Sequence, residues 1–276
     1  RKIYGDYIKE YLFNYLKNND SIQLELIQTE IVDIENESEH YLLSLSNNKK
    51  IRTDSVIFAT GNFLPANPAL TNMDYIENPN YFRNPWSNEI NQSLKRTDDI
   101  LIIGTGLTMV DKILDSYHQI HKGKIYAISR NGYLPFTHYP CSRHQRYPDY
   151  TEELLNASDT NGLYSIIRHH IDKGIKSGID WRVVVDTIRP ALPAIWDSLS
   201  LKEKKTFFRR VGSLWTVVRH RIPVICADII HLLKDKKQLH ILAGRIKKIE
   251  ENEKGFVVSY VDRKENELKE IQVQKI

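Results

Sequence analysis

The stretch that decides the fold is Ile100-Leu-Ile-Ile-Gly-Thr-Gly-Leu-Thr-Met109. Its first half is an apolar run that follows Asp99, which is typical of a strand in a parallel sheet covered on both faces. The two glycines predict a tight turn, and apolar residues at helical spacing predict a helix over residues 107–118. A second strand is predicted over residues 124–129. This order of strand, glycine turn, helix and strand predicts a right-handed βαβ unit, and with it an α/β fold built on a Rossmann-like parallel sheet.

The glycine turn is also the strongest candidate for a binding site. The candidate residues are Gly104, Thr105, Gly106, Leu107 and Thr108. Gly104 would permit the turn, Gly106 would let the backbone approach a pyrophosphate, and the N-terminus of the following helix would direct N–H groups at the anion. The hydroxyls of Thr105 and Thr108 would add donors. Met109 replaces the third glycine of the usual dinucleotide fingerprint, and the alternative interpretation is an ordinary turn without a ligand.

The end of the next predicted strand bears on the choice of nucleotide. NAD-selective sites usually carry an acidic residue about 20 positions after the turn, where it bonds the ribose hydroxyls. Here the strand ends on Ser129 and Arg130, with no acid. Because a hydroxyl beside a guanidinium suits a ribose 2′-phosphate, the sequence favours NADP(H) over NAD(H). The alternative is that Arg130 is a solvated charge at a strand end.

The rest of the chain is predicted from its periodicity. The predicted elements are a helix over 7–16, strands over 22–34 and 55–60, a hairpin over 41–53, a helical stretch over 151–237 that includes one helix over 202–215, and strands over 239–242, 246–249 and 256–261.

Composition excludes several classes of protein. Of 276 residues, 41% are hydrophobic, and 39 Lys+Arg against 35 Asp+Glu give a net charge of +4, which is too mild to indicate a nucleic-acid binder. No apolar run reaches the roughly 18 residues of a membrane span and no signal peptide is recognised, so we expect no membrane span and a cytoplasmic protein. Cys141 and Cys226 are expected to be reduced and buried, with a single disulfide between them as the alternative. No metal site is expected.

A basic and aromatic cluster lies in the helical stretch. It comprises Trp215, Arg219, His220 and Arg221, preceded by Lys204-Lys205 and Arg209-Arg210. Trp215 and Arg219 would share a helix face, because they are four residues apart. Three interpretations stay open: a basic surface facing solvent, a pocket wall facing the nicotinamide or an acidic substrate, and a surface for nucleic acid or an anionic membrane. His220 is either a proton carrier, since imidazoles titrate near neutrality, or an ordinary packed or exposed histidine.

A series of short motifs runs through most of the chain. The motifs are Arg1-x-x-Tyr4-Gly5-x-Tyr7, Ala59-Thr60-Gly61-Asn62, Asn84-Pro85-Trp86, Gly104-Thr-Gly-Leu-Thr-Met-Val-Asp111, Ser129-Arg130-x-Gly132-x-Leu134-Pro135, Trp181-Arg182, Arg189-Pro190 and Trp215-x-x-x-Arg219-His220-Arg221-x-Pro223. Together they resemble the family of uncharacterised FAD/NAD(P)-binding oxidoreductases, which are two-dinucleotide-binding flavoproteins. The resemblance implies that Thr60 and Gly61 lie near the flavin cofactor. It also implies that the chain is a central segment of a larger flavoprotein, with FAD expected in the full-length protein rather than in this segment alone.

The resemblance further implies a domain order and an activity. Residues 1–64 would be part of an FAD domain, 65–97 a connecting region, 98–150 the NAD(P)-binding βαβ core, 151–237 a helical insertion and 238–276 returning strands. The expected activity is flavin-dependent oxidoreduction, in which NAD(P)H transfers a hydride to FAD. The alternative is a dinucleotide-binding sensor or scaffold without turnover, because a fold does not imply a function. The expected partners are the dinucleotide cofactors and an unknown small-molecule substrate, and no catalytic residue is assigned.

Overall fold

The computed structural model describes residues 2–19, 21–61, 63–138 and 145–276. Cys141 lies outside the described residues, as do Arg1 and Asn62 of the resembling motifs. The chain divides into two compact units, Arg1–Phe63 and Leu64–Ile276. The finer domain boundaries given above remain predictions.

The first unit contains one helix and a small antiparallel sheet. Its elements are α1 (Lys2–Lys17), β1 (Ile31–Asn36), β2 (Tyr41–Leu45) and β3 (Lys50–Thr53), with the strands in the order β1-β2-β3. The predicted hairpin is present, and Tyr41 pairs with Thr53 across it. Asn48 has φ 63° in its turn, a left-handed conformation that asparagine tolerates better than most residues.

One strand predicted for the first unit is wrong, and another is correct only in part, since β1 covers residues 31–34 of the strand predicted over 22–34. Residues 22–30 and 55–60 form no strand, although both runs are rich in apolar side chains. The second run pairs with none of the three strands of this unit, and its Ile57 and Phe58 are 90% and 73% exposed. Several apolar side chains of α1, among them Tyr7 and Tyr11, are exposed as well.

The second unit is built on a five-stranded sheet. Its strands are β4 (Ile100–Ile103), β5 (Ile125–Ser129), β6 (Leu239–Asn252), β7 (Gly255–Asp262) and β8 (Leu268–Val273), in the order β4-β5-β6-β7-β8. The pairs β4–β5 and β5–β6 are parallel, whereas β6–β7 and β7–β8 are antiparallel. The predicted Rossmann-like parallel sheet is therefore confirmed for three strands, and an antiparallel meander extends it.

Strand β6 belongs to both the parallel and the antiparallel part of this sheet. Leu239 to Ala243 of β6 pair with β5, and Gly244 to Asn252 pair with β7, with a register shift between Ile246 and Lys248. The sequence predicts two shorter strands here, over residues 239–242 and 246–249. The structure instead shows one continuous strand that changes partners.

Both faces of the sheet are covered. On one face lie α3 (Leu107–His118) and α10 (Val224–Asp235), whose buried side chains form a core with the parallel strands. On the other face, Tyr75 of the connecting region packs with Leu101, Ile128 and Phe256. This double coverage explains the almost entirely apolar sequences of β4 and β5.

The remaining helices form a separate core within the same unit. They are α4 (Thr151–Leu155), α5 (Thr160–Lys176), α6 (Trp181–Thr187), α7 (Leu192–Ser198), α8 (Leu201–Arg210) and α9 (Gly212–Arg219), whereas the short helix α2 (Asn88–Ser93) contributes no described residue to this core. Leu154, Leu163 and Val184 are among the buried residues of the helical core. The single helix expected over 202–215 is wrong, since α8 ends at Arg210 and α9 begins at Gly212. No helix in the described parts of the chain is long and apolar enough to cross a membrane.

Candidate functional site

The glycine turn follows β4 directly and is open in front. Gly104 has φ 115°, a conformation that favours glycine, and its N–H donates to the carbonyl of Ile128 at 2.7 Å. A Cβ added at Gly104 or at Gly106 would meet no heavy atom within 4 Å. Among the described residues, the space directly beside the backbone of these two glycines is therefore open, as the close approach of a phosphate group requires.

Helix α3 begins at this turn without a side-chain cap. Gly106 is the N-cap residue, in extended conformation, and no side chain caps the first amides. The first N–H groups of a helix have no intrahelical acceptor, and the helix dipole adds partial positive charge there. Leu107 and Thr108 are exposed at this end. The arrangement fits an anion such as a pyrophosphate.

Thr105 does not offer its hydroxyl to this space. Its side chain is buried, and Oγ1 donates to the Tyr133 carbonyl at 2.6 Å and lies 2.8 Å from Ser129 Oγ. The expectation that the Thr105 hydroxyl adds a phosphate donor is wrong, because that proton is already bound to a carbonyl. Only the backbone of Thr105 remains for a ligand.

The Ser129 hydroxyl is hydrogen-bonded within the same network. Because the proton of Thr105 goes to Tyr133, Ser129 must be the donor in the bond between the two hydroxyls. Ser129 Oγ also accepts the Gly132 N–H at 3.0 Å. Ser129 therefore holds the loop after β5 against the glycine turn, and its proton is not available to a 2′-phosphate.

A cleft of about 650 Å³ lies at the carboxyl ends of β4 and β5. It is lined by Pro68, Ala69, Leu70, Thr71, Ile103, Gly104, Ile128, Ser129, Arg130, Gly244, Arg245, Ile246 and Lys247. Ligands of α/β proteins bind at this edge of the sheet. Three of the lining residues are cations and none is acidic, so the charge of the cleft suits a polyanion.

Arg130 is free to meet a ligand, while its backbone is held in place. Its side chain is exposed, and no ion pair joins it to another described residue. Arg263 donates to the Arg130 carbonyl at 3.5 Å and to the Asn131 side chain. A Cβ on Gly132, which has φ 64°, would lie 3.0 Å from Ala243 Cβ. The loop that carries Arg130 is thus packed closely against β6.

Arg245 and Lys247 are cleft residues that the sequence reasoning missed. Ser129 pairs with Ala243, so the residues just beyond Ala243 come to the edge of the sheet where β5 ends. Both side chains are exposed. Their position in the sequence could have indicated them, because they lie two and four residues after Ala243, where the parallel part of β6 ends.

Thr60 and Gly61 belong to the first unit. Both are exposed, and Gly61 has φ 73°, which favours glycine at this position. Their predicted place beside a flavin remains a prediction.

The basic and aromatic cluster does not line the cleft within the described residues. Trp215 packs against the helical core, and Arg219 and His220 are exposed. The side chain of Arg221 is only 6% exposed, with Nη1 2.8 Å from Asp186 Oδ2 and its guanidinium 5.3 Å from the centre of the Trp181 ring. Arg221 is therefore already paired inside the unit. In the described residues, no group of three or more metal-ligating side chains could hold an ion.

The first unit matches a family model. Residues 1–63 match the model described as FAD-NAD(P)-binding. No curated protein matches the chain.

The whole chain is similar in fold to solved flavoenzymes. An ornithine N-hydroxylase from Kutzneria sp. 744 aligns with a TM-score of 0.58 and 10% identity over 100% of this chain and 57% of that one. The L-lysine 6-monooxygenase from Pseudomonas syringae aligns with a TM-score of 0.54 and 11% identity over 99% and 61% of the two chains. A cadaverine monooxygenase from Erwinia amylovora, solved with FAD, aligns with a TM-score of 0.52 and 12% identity over 99% and 58%.

These comparisons confirm the predicted fold class. The chain has the fold of two-dinucleotide-binding flavoproteins, and it spans about three fifths of the length of the solved proteins it matches. The resemblance stated from the sequence motifs is confirmed at the level of this class.

Proposed function

We propose that this chain forms the NADP(H)-binding part of a flavin-dependent oxidoreductase. The observation that carries the proposal is the cleft at the ends of β4 and β5, with its open glycine turn, three cations and no acidic side chain. The flavoprotein fold of the whole chain supports it.

The glycine turn would hold the pyrophosphate. Gly104 and Gly106 leave their backbone accessible, and the first amides of α3 provide uncapped donors. Thr105 would contribute through its backbone only. Leu107 and Thr108 complete the exposed end of the helix.

Arg130, with Arg245 and Lys247, would select NADP(H). All three line the cleft, and guanidinium groups bind phosphate by paired, charge-assisted hydrogen bonds. A ribose 2′-phosphate carries the charge that these side chains can balance. Ser129 would not bind the 2′-phosphate itself, since its proton is donated to Thr105. It would affect the preference for NADP(H) only by holding the loop that carries Arg130.

The chemistry would belong to the cofactors. NADPH held in the cleft would supply a hydride for an FAD, and the part of this chain would be to hold and orient the nucleotide. We assign the FAD contact to Thr60 and Gly61 in the full-length protein, in keeping with the FAD-NAD(P)-binding model that matches residues 1–63. No residue of the chain is needed as a nucleophile.

The binding half of the proposal is tested on this chain. Titration with NADPH and with NADH should give tighter binding of NADPH, with the difference reduced at high salt because it rests on charge. Equal affinities would contradict the selection of the 2′-phosphate. Absence of binding by either nucleotide would contradict the site.

The redox half is tested on the full-length protein. Anaerobic addition of NADPH should bleach the absorbance of its bound flavin. Tight binding of NADPH without bleaching would favour the alternative of a sensor or scaffold, in which the same cleft binds nucleotide without turnover.

A further inference from the structure

Helix α8 presents a basic face that the proposed function does not use. We define the α8 basic face as Leu201, Lys202, Lys205, Phe208 and Arg209, all of them exposed. Residues 201, 205 and 208 lie on one side of the helix, and residues 202 and 209 adjoin them. Leu201 is 69% exposed and Phe208 66% exposed, so two large apolar side chains stand beside three cations.

The only acidic residue of α8 is turned away from this face. Glu203 Oε2 accepts the N–H and the hydroxyl of Thr160, each at 2.8 Å, at the start of α5. These hydrogen bonds lower the pKa of the Glu203 carboxyl, so the carboxylate is engaged by α5. In the part of the chain that the structure describes, no ion pair neutralises Lys202, Lys205 or Arg209.

The opposite side of α8 fixes the orientation of the face. The Phe207 ring lies 5.7 Å from the Trp196 ring and 6.4 Å from the Trp215 ring, centre to centre. The Phe208 ring also touches Trp196, at 5.4 Å, so Trp196 reaches the edge of the basic face, although Phe208 stays 66% exposed. Lys204 Nζ lies 5.6 Å from the centre of the Trp196 ring. The Ser200 side chain caps the helix by accepting the Glu203 N–H. The helix is thus held on its inner side, and the basic face cannot turn inward without breaking this packing.

We propose that the α8 basic face docks on an anionic lipid surface. Cationic helices with an apolar edge bind at the membrane interface, where apolar side chains enter the headgroup boundary and cations meet anionic lipids. Leu201 and Phe208 would provide the apolar edge, and Lys202, Lys205 and Arg209 the charge. A lipid surface is favoured over nucleic acid because an exposed leucine has no ring on which a base could stack. The proposal is independent of the nucleotide cleft.

The test is co-sedimentation of the purified chain with vesicles. Vesicles that contain phosphatidylglycerol should pellet the protein, vesicles of phosphatidylcholine alone should not, and high salt should release it. Each cation near an anionic membrane contributes about fivefold to binding. The double variant K205E/R209E should therefore lower the vesicle affinity by more than about twentyfold. The double variant L201S/F208S should weaken binding at the same net charge.

The matched control reverses the charge of two lysines outside α8. K254E/K264E changes the net charge of the chain as much as K205E/R209E does, at exposed positions of the β6–β7–β8 meander, and should keep the vesicle affinity. Equal losses in the two double variants would show a general charge effect and overturn the proposal, as would failure of the unmodified chain to bind. Tight binding of an oligonucleotide that K205E/R209E abolishes, without vesicle binding, would assign the face to nucleic acid instead.

Discussion

Gly106 is the residue at which one added side chain would change nucleotide binding most. A Cβ at this position points into open space, and its φ of −86° is accessible to any residue. Substitution should therefore spare the fold and obstruct only a ligand that approaches the backbone.

We accordingly expect Gly106→Val to lower NADPH affinity by at least about tenfold, which corresponds to about 1.4 kcal/mol, because a branched side chain would occupy the approach to the turn. Isothermal titration measures the affinity, and thermal unfolding checks the fold. The contrasting variant is Gly104→Ala, which should also lose stability, since φ 115° strains any side chain. Unchanged affinity in Gly106→Val would reject this placement of the pyrophosphate.

Arg130 is expected to discriminate between the two nucleotides. Charge-assisted hydrogen bonds are worth about 1.5–3 kcal/mol, so Arg130→Ala should weaken NADPH by about tenfold to a hundredfold and leave NADH nearly unchanged. Arg219→Ala removes an exposed arginine outside the cleft and should alter neither. Ser129→Ala should keep the ratio of NADPH to NADH affinities, because its proton is committed to Thr105. A parallel loss for both nucleotides in Arg130→Ala would remove the case for 2′-phosphate recognition.

At the scale of elements, α3 packs on the sheet through Met109, the residue that stands where the dinucleotide fingerprint usually has its third glycine. Met109 is 1% exposed and belongs to the core between α3 and the parallel strands. The third glycine of the fingerprint allows close packing of helix on strand, and here a buried side chain fills that place. The sequence could reveal the missing glycine, but only the packing shows that the methionine is a core residue.

Met109→Ala should therefore lower the free energy of unfolding by about 2–5 kcal/mol, the range for large-to-small changes in a core. Leu107→Ala, two residues earlier on the exposed end of α3, is the matched control and should change stability by less than about 0.5 kcal/mol. The midpoint of urea unfolding measures both. Similar small shifts for the two variants would contradict the packing described for α3.

The parallel strands could be predicted because the residues that indicate them are adjacent in the sequence. An apolar run such as Ile100–Ile103, followed by glycine, predicts the strand, the turn and the helix from adjacent residues. The change of partners along β6 could not be predicted, since it depends on which strands lie on either side of Gly244. For that reason Arg130 was found from the sequence and Arg245 was not.

At the scale of the whole molecule, stability should depend on pH through a buried histidine. His121 is 8% exposed, and burial lowers its pKa, against the opposing effect of a hydrogen bond with the Asp98 backbone. In the unfolded chain the imidazole regains its ordinary pKa of about 6.5. The folded state then binds fewer protons than the unfolded state below that pH, so stability is full above about pH 6.5 and falls as the pH drops.

His121→Gln should flatten this dependence, which for one group is at most about 1.4 kcal/mol per pH unit. Urea unfolding at several pH values from neutral to mildly acidic measures the slope. His231→Gln, at an exposed position of α10, should leave the slope unchanged. If both variants keep the original slope, another group causes the acid sensitivity.

The continuous strand β6 has a consequence for how a nucleotide would be received. Its first half is tied to β5 as far as Ala243 and its second half to β7 from Gly244 onward. The backbone of Arg245 is therefore paired with β7 and directly follows the part of the strand that is paired with β5, which carries the loop of Arg130. The two guanidinium groups therefore start from a preorganised scaffold, and association need order little more than their side chains. Such a site loses less conformational entropy on binding than one assembled from mobile loops.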